Sequence, residues 1–126
     1  MEEAQIKLSA DSDGNPLEGR RNYRLHLPPG IPARDFWSVI VYDSSTGFII
    51  VTNQSWPSIY STRTNLAVNP DGSVDCWFGP KAPEGMENNW IQTIPGKGWH
   101  MILRLYEPLK SLYDNSWIPG EIGRQP

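Results

Sequence analysis

The chain is 126 residues long and sets 11 Lys and Arg against 14 Asp and Glu, a formal charge of −3. It is sized for one core and has no basic excess with which to hold a phosphate backbone or an anionic membrane. Its 11 Gly and 12 Pro leave little room for long helices, six Trp supply enough burial to exclude disorder, and one Cys with two His excludes an internal disulfide and argues against a zinc centre.

Residues 1–12 read as an N-terminal extension and 13–126 as a single domain. Glu2 and Glu3 stand where a secretory leader would be basic, and the longest strongly apolar run, Phe48 to Val51, is far below a membrane span. A soluble chain without a signal peptide is expected, its compartment open. Asp11-Ser12-Asp13-Gly14-Asn15 alternates carboxylates as a calcium loop does, but Gly and Glu are missing from the places such a loop needs, so a polar turn is expected.

Tyr23-Arg24-Leu25-His26-Leu27 alternates as a half-buried strand, stopped by Pro28-Pro29-Gly30. Phe36 to Tyr42 is apolar on both faces, which predicts a central strand covered on each side. The Asp43–Gly47 turn then leads into Phe48–Val51, giving a first hairpin. Asn69-Pro70-Asp71-Gly72 marks a second, with arms Asn65–Val68 and Ser73–Phe78. On the second arm Val74, Cys76 and Phe78 share one face, Asp75 and Trp77 the other.

Gly79 to Gly85 reads as irregular loop. Gly96-Lys97-Gly98 lacks the spacing of a phosphate loop and precedes a strand, so it is expected to be a turn. Trp99 to Tyr106 alternates again, with Trp99, Met101, Leu103 and Leu105 on the apolar face. Leu109 to Tyr113 predicts one or two helical turns, the only helix, and the tail from Trp117 is expected to lie across the surface. The pattern is all-β, an antiparallel sandwich or barrel with at most one short helix near the C-terminus.

The blocks Asp13-Gly14-Asn15-Pro16-Leu17-Glu18-Gly19, Tyr23-Arg24-Leu25, Phe36-Trp37-Ser38 with Tyr42-Asp43, Asp71-Gly72-Ser73-Val74, Asn88-Asn89-Trp90, and Arg104-Leu105-Tyr106 with Pro108 resemble the family called domain of unknown function 1214. They run in that family's order over nearly the whole chain. The resemblance implies a jelly-roll-like β-sandwich with no settled activity; separately, no cofactor is expected. In that family the domain commonly follows a second one, domain of unknown function 1254. Only about a dozen residues precede the first block here, which reads as a stand-alone version or an excised piece. A surface that the upstream domain covers would then meet another partner, so a homo-oligomer or a missing partner domain is expected.

Cys76, on an apolar strand face, reads as a protonated small hydrophobe. His26 and His100 lack a neighbouring nucleophile and read as surface or satisfied histidines. Asp43 and Asp71 have local reasons to be turn residues, which leaves Asp75, Glu84 and Glu87 as weak catalytic candidates for a hydrolase acting on glycans through a carboxylate pair. Trp77 beside Asp75, extended by Asn88 and Trp90, forms a candidate ligand-binding shelf on which a sugar ring would stack; in a sandwich such rings also seal sheet ends. Trp77 is therefore expected to be partly exposed. The function expected first is a non-catalytic binding or assembly module that recognises glycans through exposed aromatics, with the hydrolase as alternative; no metal, nucleic acid or membrane is expected as partner.

Overall fold

The structure is a computed structural model and describes residues 2–54 and 57–126. The described residues hold eight strands: β1 (Glu3–Leu8), β2 (Asn22–Leu27), β3 (Ala33–Asp43), β4 (Ser58–Tyr60), β5 (Val74–Gly79), β6 (Trp90–Gln92), β7 (Trp99–Pro108) and β8 (Ile122–Gln125). A 3-10 turn (Glu87–Asn89) precedes β6, and one α-helix, α1 (Lys110–Tyr113), follows β7.

The strands form two four-stranded sheets, ordered β1-β7-β3-β4 and β6-β5-β2-β8. All pairings are antiparallel except β5 with β6. The alternation read from β2, β5 and β7 explains how they face each other. Tyr23, Leu25 and Leu27 lie opposite Phe78, Cys76 and Val74 in register, and all six are buried. Trp99, Met101, Leu103 and Leu105 on β7 fill the other layer beside Val39 and Val41 of β3. Trp99 joins the layers, meeting Tyr23 edge-on at 5.5 Å between ring centres and Phe78 at 4.9 Å. Each such side chain contributes roughly 1.5–3 kcal/mol on burial.

The predicted all-β class, a sandwich with one short helix, is what the structure shows, and the α1 position matches. Several local expectations do not. Phe48 to Val51 forms no strand; it makes a single bridge, Tyr42 with Ile49, because Phe48 and Val51 point to solvent (76% and 88% exposed) and only Ile50 enters the core. The Asn69–Gly72 turn is present, with the Gly72 N–H donating to the Asn69 carbonyl at 2.9 Å and Gly72 at φ 91°. Its first arm is not a strand, however. The Ala67 N–H donates to the Asn89 side-chain carbonyl and the Ala67 carbonyl accepts from the Asn89 amide, both at 2.9 Å, so a side chain takes the place of a paired strand.

The tail is not merely draped on the surface. Ile122 is buried, β8 pairs with β2, and Trp117 sits in the core with its indole N–H donating to the Pro28 carbonyl at 3.0 Å. Ahead of the first expected strand lies β1, which pairs with β7 from Glu3↔Tyr106 to Leu8↔Met101. On the far side of β3, β4 covers only Ser38 to Ile40. Beyond it, the Trp37 N–H donates to Ser61 Oγ at 3.0 Å, the Ser61 N–H donates to the Trp37 carbonyl at 3.0 Å, and the Ile50 N–H donates to the Val41 carbonyl at 3.1 Å. β3 was expected to be covered on both faces. Within this chain the inward row is buried, whereas on the outward row Phe36, Ile40 and Tyr42 stay half-buried and only Ser38 is covered.

Candidate functional site

The outward face of the β6-β5-β2-β8 sheet carries three of the residues that sequence reasoning put forward, Asp75, Trp77 and Trp90. Alternation turns Asp75 and Trp77 outward from β5 while Val74, Cys76 and Phe78 point in. In register, Trp77 lies between Arg24 of β2 and Trp90 of β6, and Asp75 lies opposite His26. Trp77 is half-buried, as expected. The Arg24 guanidinium stands 5.9 Å from the centre of its ring, a cation–π contact across the sheet. The Trp90 indole N–H donates to the Gly79 carbonyl at 3.0 Å; the Trp77 indole nitrogen, although buried, has no partner among the described residues.

Trp77 also walls a cleft of about 390 Å³ at the end of this sheet, together with Asn22, Lys81, Pro83 and Gln125. Two local features shape it. At Gly79 a Cβ would stand 2.3 Å from Asn22 Oδ1, so the glycine leaves room for the Asn22 side chain to approach the strand end. Asn22 is held by donating to the Pro126 carbonyl at 3.3 Å. Lys81 is exposed and, like Arg24, makes no ion pair among the described residues. The cleft thus offers one indole, two amides and an ammonium group: a surface for stacking and hydrogen bonding with a cationic rim.

The other named residues fall elsewhere. Asp75 Oδ1 is 2.8 Å from His26 Nδ1, and Asp75 Oδ2 accepts from the Asn69 amide at 3.1 Å, so its lone pairs are engaged inside the chain. Asn88 is exposed, and its carbonyl accepts from Arg63 at 3.0 Å; the buried amide of this segment is its neighbour Asn89. Glu87 accepts from the Gly85 N–H at 3.2 Å within its own loop, and Glu84 is exposed. No hydrogen bond joins Asp75 to either glutamate among the described residues. Asn22, Arg24, Lys81 and Gln125 were not singled out from the sequence. Arg24 was visible as an outward residue of its strand; that it stands beside Trp77 is a matter of register, which periodicity does not reveal.

The remaining candidates have structural roles. Burial, with the Asp75 charge adding to it, pushes the Cys76 thiol well above its usual range, so it stays protonated. Asp11 Oδ1 accepts from the N–H groups of Asp13 and Asn15 at 2.9 and 3.0 Å, and Gly14 at φ 84° completes a polar turn. No cluster of three or more His, Cys, Asp or Glu side chains that would hold a metal occurs among the described residues. Hydrogen bonds from Ser45 hold Asp43 below the usual carboxylate range, with Lys97 acting in the same direction, and bonds from Ser73 do the same for Asp71. His100 stacks on Tyr42 at 5.4 Å, and burial followed by the Lys7 charge lowers its pKa. Among the described residues, no helix is long and apolar enough to cross a membrane.

Comparison with known proteins agrees with this architecture. The family described as "Protein of unknown function (DUF1214)" matches residues 2–110, and the chain belongs to that family. Among solved structures, the VPA0106 protein from Vibrio parahaemolyticus superposes with a TM-score of 0.82 at 20% identity, covering 99% of this chain and 31% of that one. A putative uncharacterized protein from Burkholderia cenocepacia gives a TM-score of 0.55 at 16% identity over 96% of this chain and 34% of its own. The chain therefore spans about a third of the length of each, and the likeness is one of fold. No curated protein matches it.

Proposed function

We propose that this DUF1214 domain is a non-catalytic binding module that recognises a saccharide at the cleft walled by Trp77. The observation that carries the reading is that a half-buried indole lines a cleft of about 390 Å³ together with the side chains of Asn22, Gln125 and Lys81. An indole face suits the C–H face of a sugar ring, and the amides suit its hydroxyls. The unpaired Lys81 on the rim favours saccharides carrying a carboxylate or sulfate over neutral ones. The reading asks nothing of the carboxylates: Asp75 is held by His26 and Asn69, and Glu87 by its own loop.

The test is a glycan array probed with the folded chain, followed by titration of the best-retained saccharide against tryptophan fluorescence. Trp77→Ala should weaken binding by about tenfold or more, equivalent to about 1.4 kcal/mol, and Lys81→Gln should weaken binding of acidic saccharides alone. A chain that is folded by circular dichroism yet retains no saccharide overturns the proposal.

A further inference from the structure

The cleft at Trp77 adjoins another. Asn22, Gln125 and Pro126 line it and also line a second cleft of about 510 Å³, whose remaining walls are Arg20, Arg21 and Arg124. Through these shared residues the two concavities form one trough, which leads from the indole past the start of β2 to three guanidinium groups.

The turn that presents two of these cations is anchored from the inside. The Gly19 N–H donates to the Lys97 carbonyl at 2.9 Å and the Gly19 carbonyl accepts from Thr93 Oγ1 at 2.8 Å, so the peptide groups on both sides of Gly19 are held. The Glu18 N–H donates to Tyr23 Oη at 3.0 Å, and the Arg21 N–H donates to the Glu18 carbonyl at 3.3 Å. Arg20 leaves this base exposed to solvent and makes no ion pair among the described residues. Arg21 is engaged by Glu18 through Nε at 2.7 Å, while Arg124 faces Asp11 and Asp13 only at 3.6 and 3.7 Å. No Asp or Glu side chain lines either cleft among the described residues. In a chain of formal charge −3, a trough walled by cations alone is a local reversal of sign and draws an anion.

We infer that the Trp77 cleft is the first subsite of a longer groove, which takes an acidic oligosaccharide. One unit stacks on Trp77, and the carboxylate or sulfate of a following unit is bound by Arg20, with Arg21 and Arg124 beside it. The inference rests on the saccharide reading of the Trp77 cleft and adds to it a second subsite and a minimum length of two units. Guanidinium forks match the paired oxygens of a carboxylate or sulfate. A chain that reaches both clefts gains the second contact within one complex, so it outbinds a single ring. The net negative charge of the protein opposes the denser phosphate backbone of a nucleic acid.

The experiment is calorimetric titration of the folded full chain with galacturonic acid, tetragalacturonate, a heparin-derived tetrasaccharide, maltotetraose and octathymidylate. At least one acidic tetramer should bind about tenfold or more tighter than galacturonic acid and maltotetraose, and added salt should weaken it. Arg20→Gln, on an exposed turn position where folding is not at risk, should weaken that tetramer about three- to tenfold, and Trp77→Ala at least as much. Lys110→Gln, which removes the same charge from α1 outside the trough, should leave it unchanged. A single uronate bound as tightly as the acidic tetramers, or a tetramer indifferent to Arg20→Gln, overturns the inference and leaves the Trp77 reading intact. A tetramer that needs Arg20 but not Trp77 overturns the joined groove, and octathymidylate bound as tightly as either acidic tetramer overturns the ligand class. Absence of binding by every saccharide overturns both this inference and the Trp77 reading.

Discussion

Asn89 shows how much one side chain does in this fold. It is fully buried, and its amide donates to the Ala67 carbonyl at 2.9 Å and the Asp75 carbonyl at 3.0 Å while its carbonyl accepts from the Ala67 N–H at 2.9 Å. Asn89→Asp keeps the size but removes both donors, and should cost about 3 kcal/mol or more in urea denaturation. Asn88→Asp next to it, already exposed, should cost almost nothing. Cys76 gives a second prediction at this scale. Its burial and raised pKa mean that a thiol reagent should modify it only as fast as the chain opens, and modification should become immediate in denaturant. The sequence identified the buried thiol correctly because it lies on an alternating apolar face, whereas nothing in a pair of adjacent asparagines says which one points inward.

Asp43 and Asp71 contribute to the response to acid. Their pKa values are depressed in the folded chain, so the unfolded chain binds more protons at low pH and stability rises with pH. Their contribution is complete above the ordinary aspartate value of about 3.9 and is lost as pH falls through the lower folded values. Asp71→Asn should therefore flatten the acid limb of a stability-against-pH curve by lowering its neutral plateau, with little change at the acid end.

At the scale of elements, legibility follows the strength of the local pattern. β2, β5 and β7 were readable because each buries every second side chain, and α1 because Pro108 precedes a run that can coil. β1 follows the same rule, with Ala4, Ile6 and Leu8 packed on the core and Glu3, Gln5 and Lys7 outside, but its apolar residues are small or half-covered and its signal is faint. β8 is shorter still and is fixed by pairing with β2 and not by composition. Deleting residues 1–8 should strip β7 of its neighbour along Met101–Tyr106 and give a chain that aggregates on heating, measurable as light scattering ahead of the unfolding transition. Gly19 offers a sharper test: a Cβ there would lie 1.8 Å from the Ile94 carbonyl oxygen, so Gly19→Ala should cost about 2–3 kcal/mol or prevent folding, whereas Gly85→Ala meets nothing within 4 Å and pays only for its φ of 82°.

On the scale of the whole molecule, the two layers leave two outward faces of different character. One carries Trp77 with a cationic rim; the other carries stacked rings and serines. Sequence reading singled out Trp77 on the first through the alternation of β5, although the cleft's other walls come from β2, the loop after β5 and the chain's last residues, which meet only in three dimensions. It read the second as covered because β3 is apolar on both faces, whereas within this chain much of the outward row is left half-open.

The eleven-residue β3 outruns its short outer neighbour β4, which covers only Ser38 to Ile40. Beyond the short β4, its peptide groups are occupied by the Ser61 hydroxyl and main chain and by the loop at Ile50. Among the described residues these bonds occupy the Trp37 and Val41 peptide groups that β4 leaves uncovered, so a passing molecule finds fewer vacant donors and acceptors there on which to extend the ladder. Ser61→Ala would reopen the Trp37 amide, and amyloid-sensitive dye fluorescence after prolonged incubation should then rise above that of the unaltered chain.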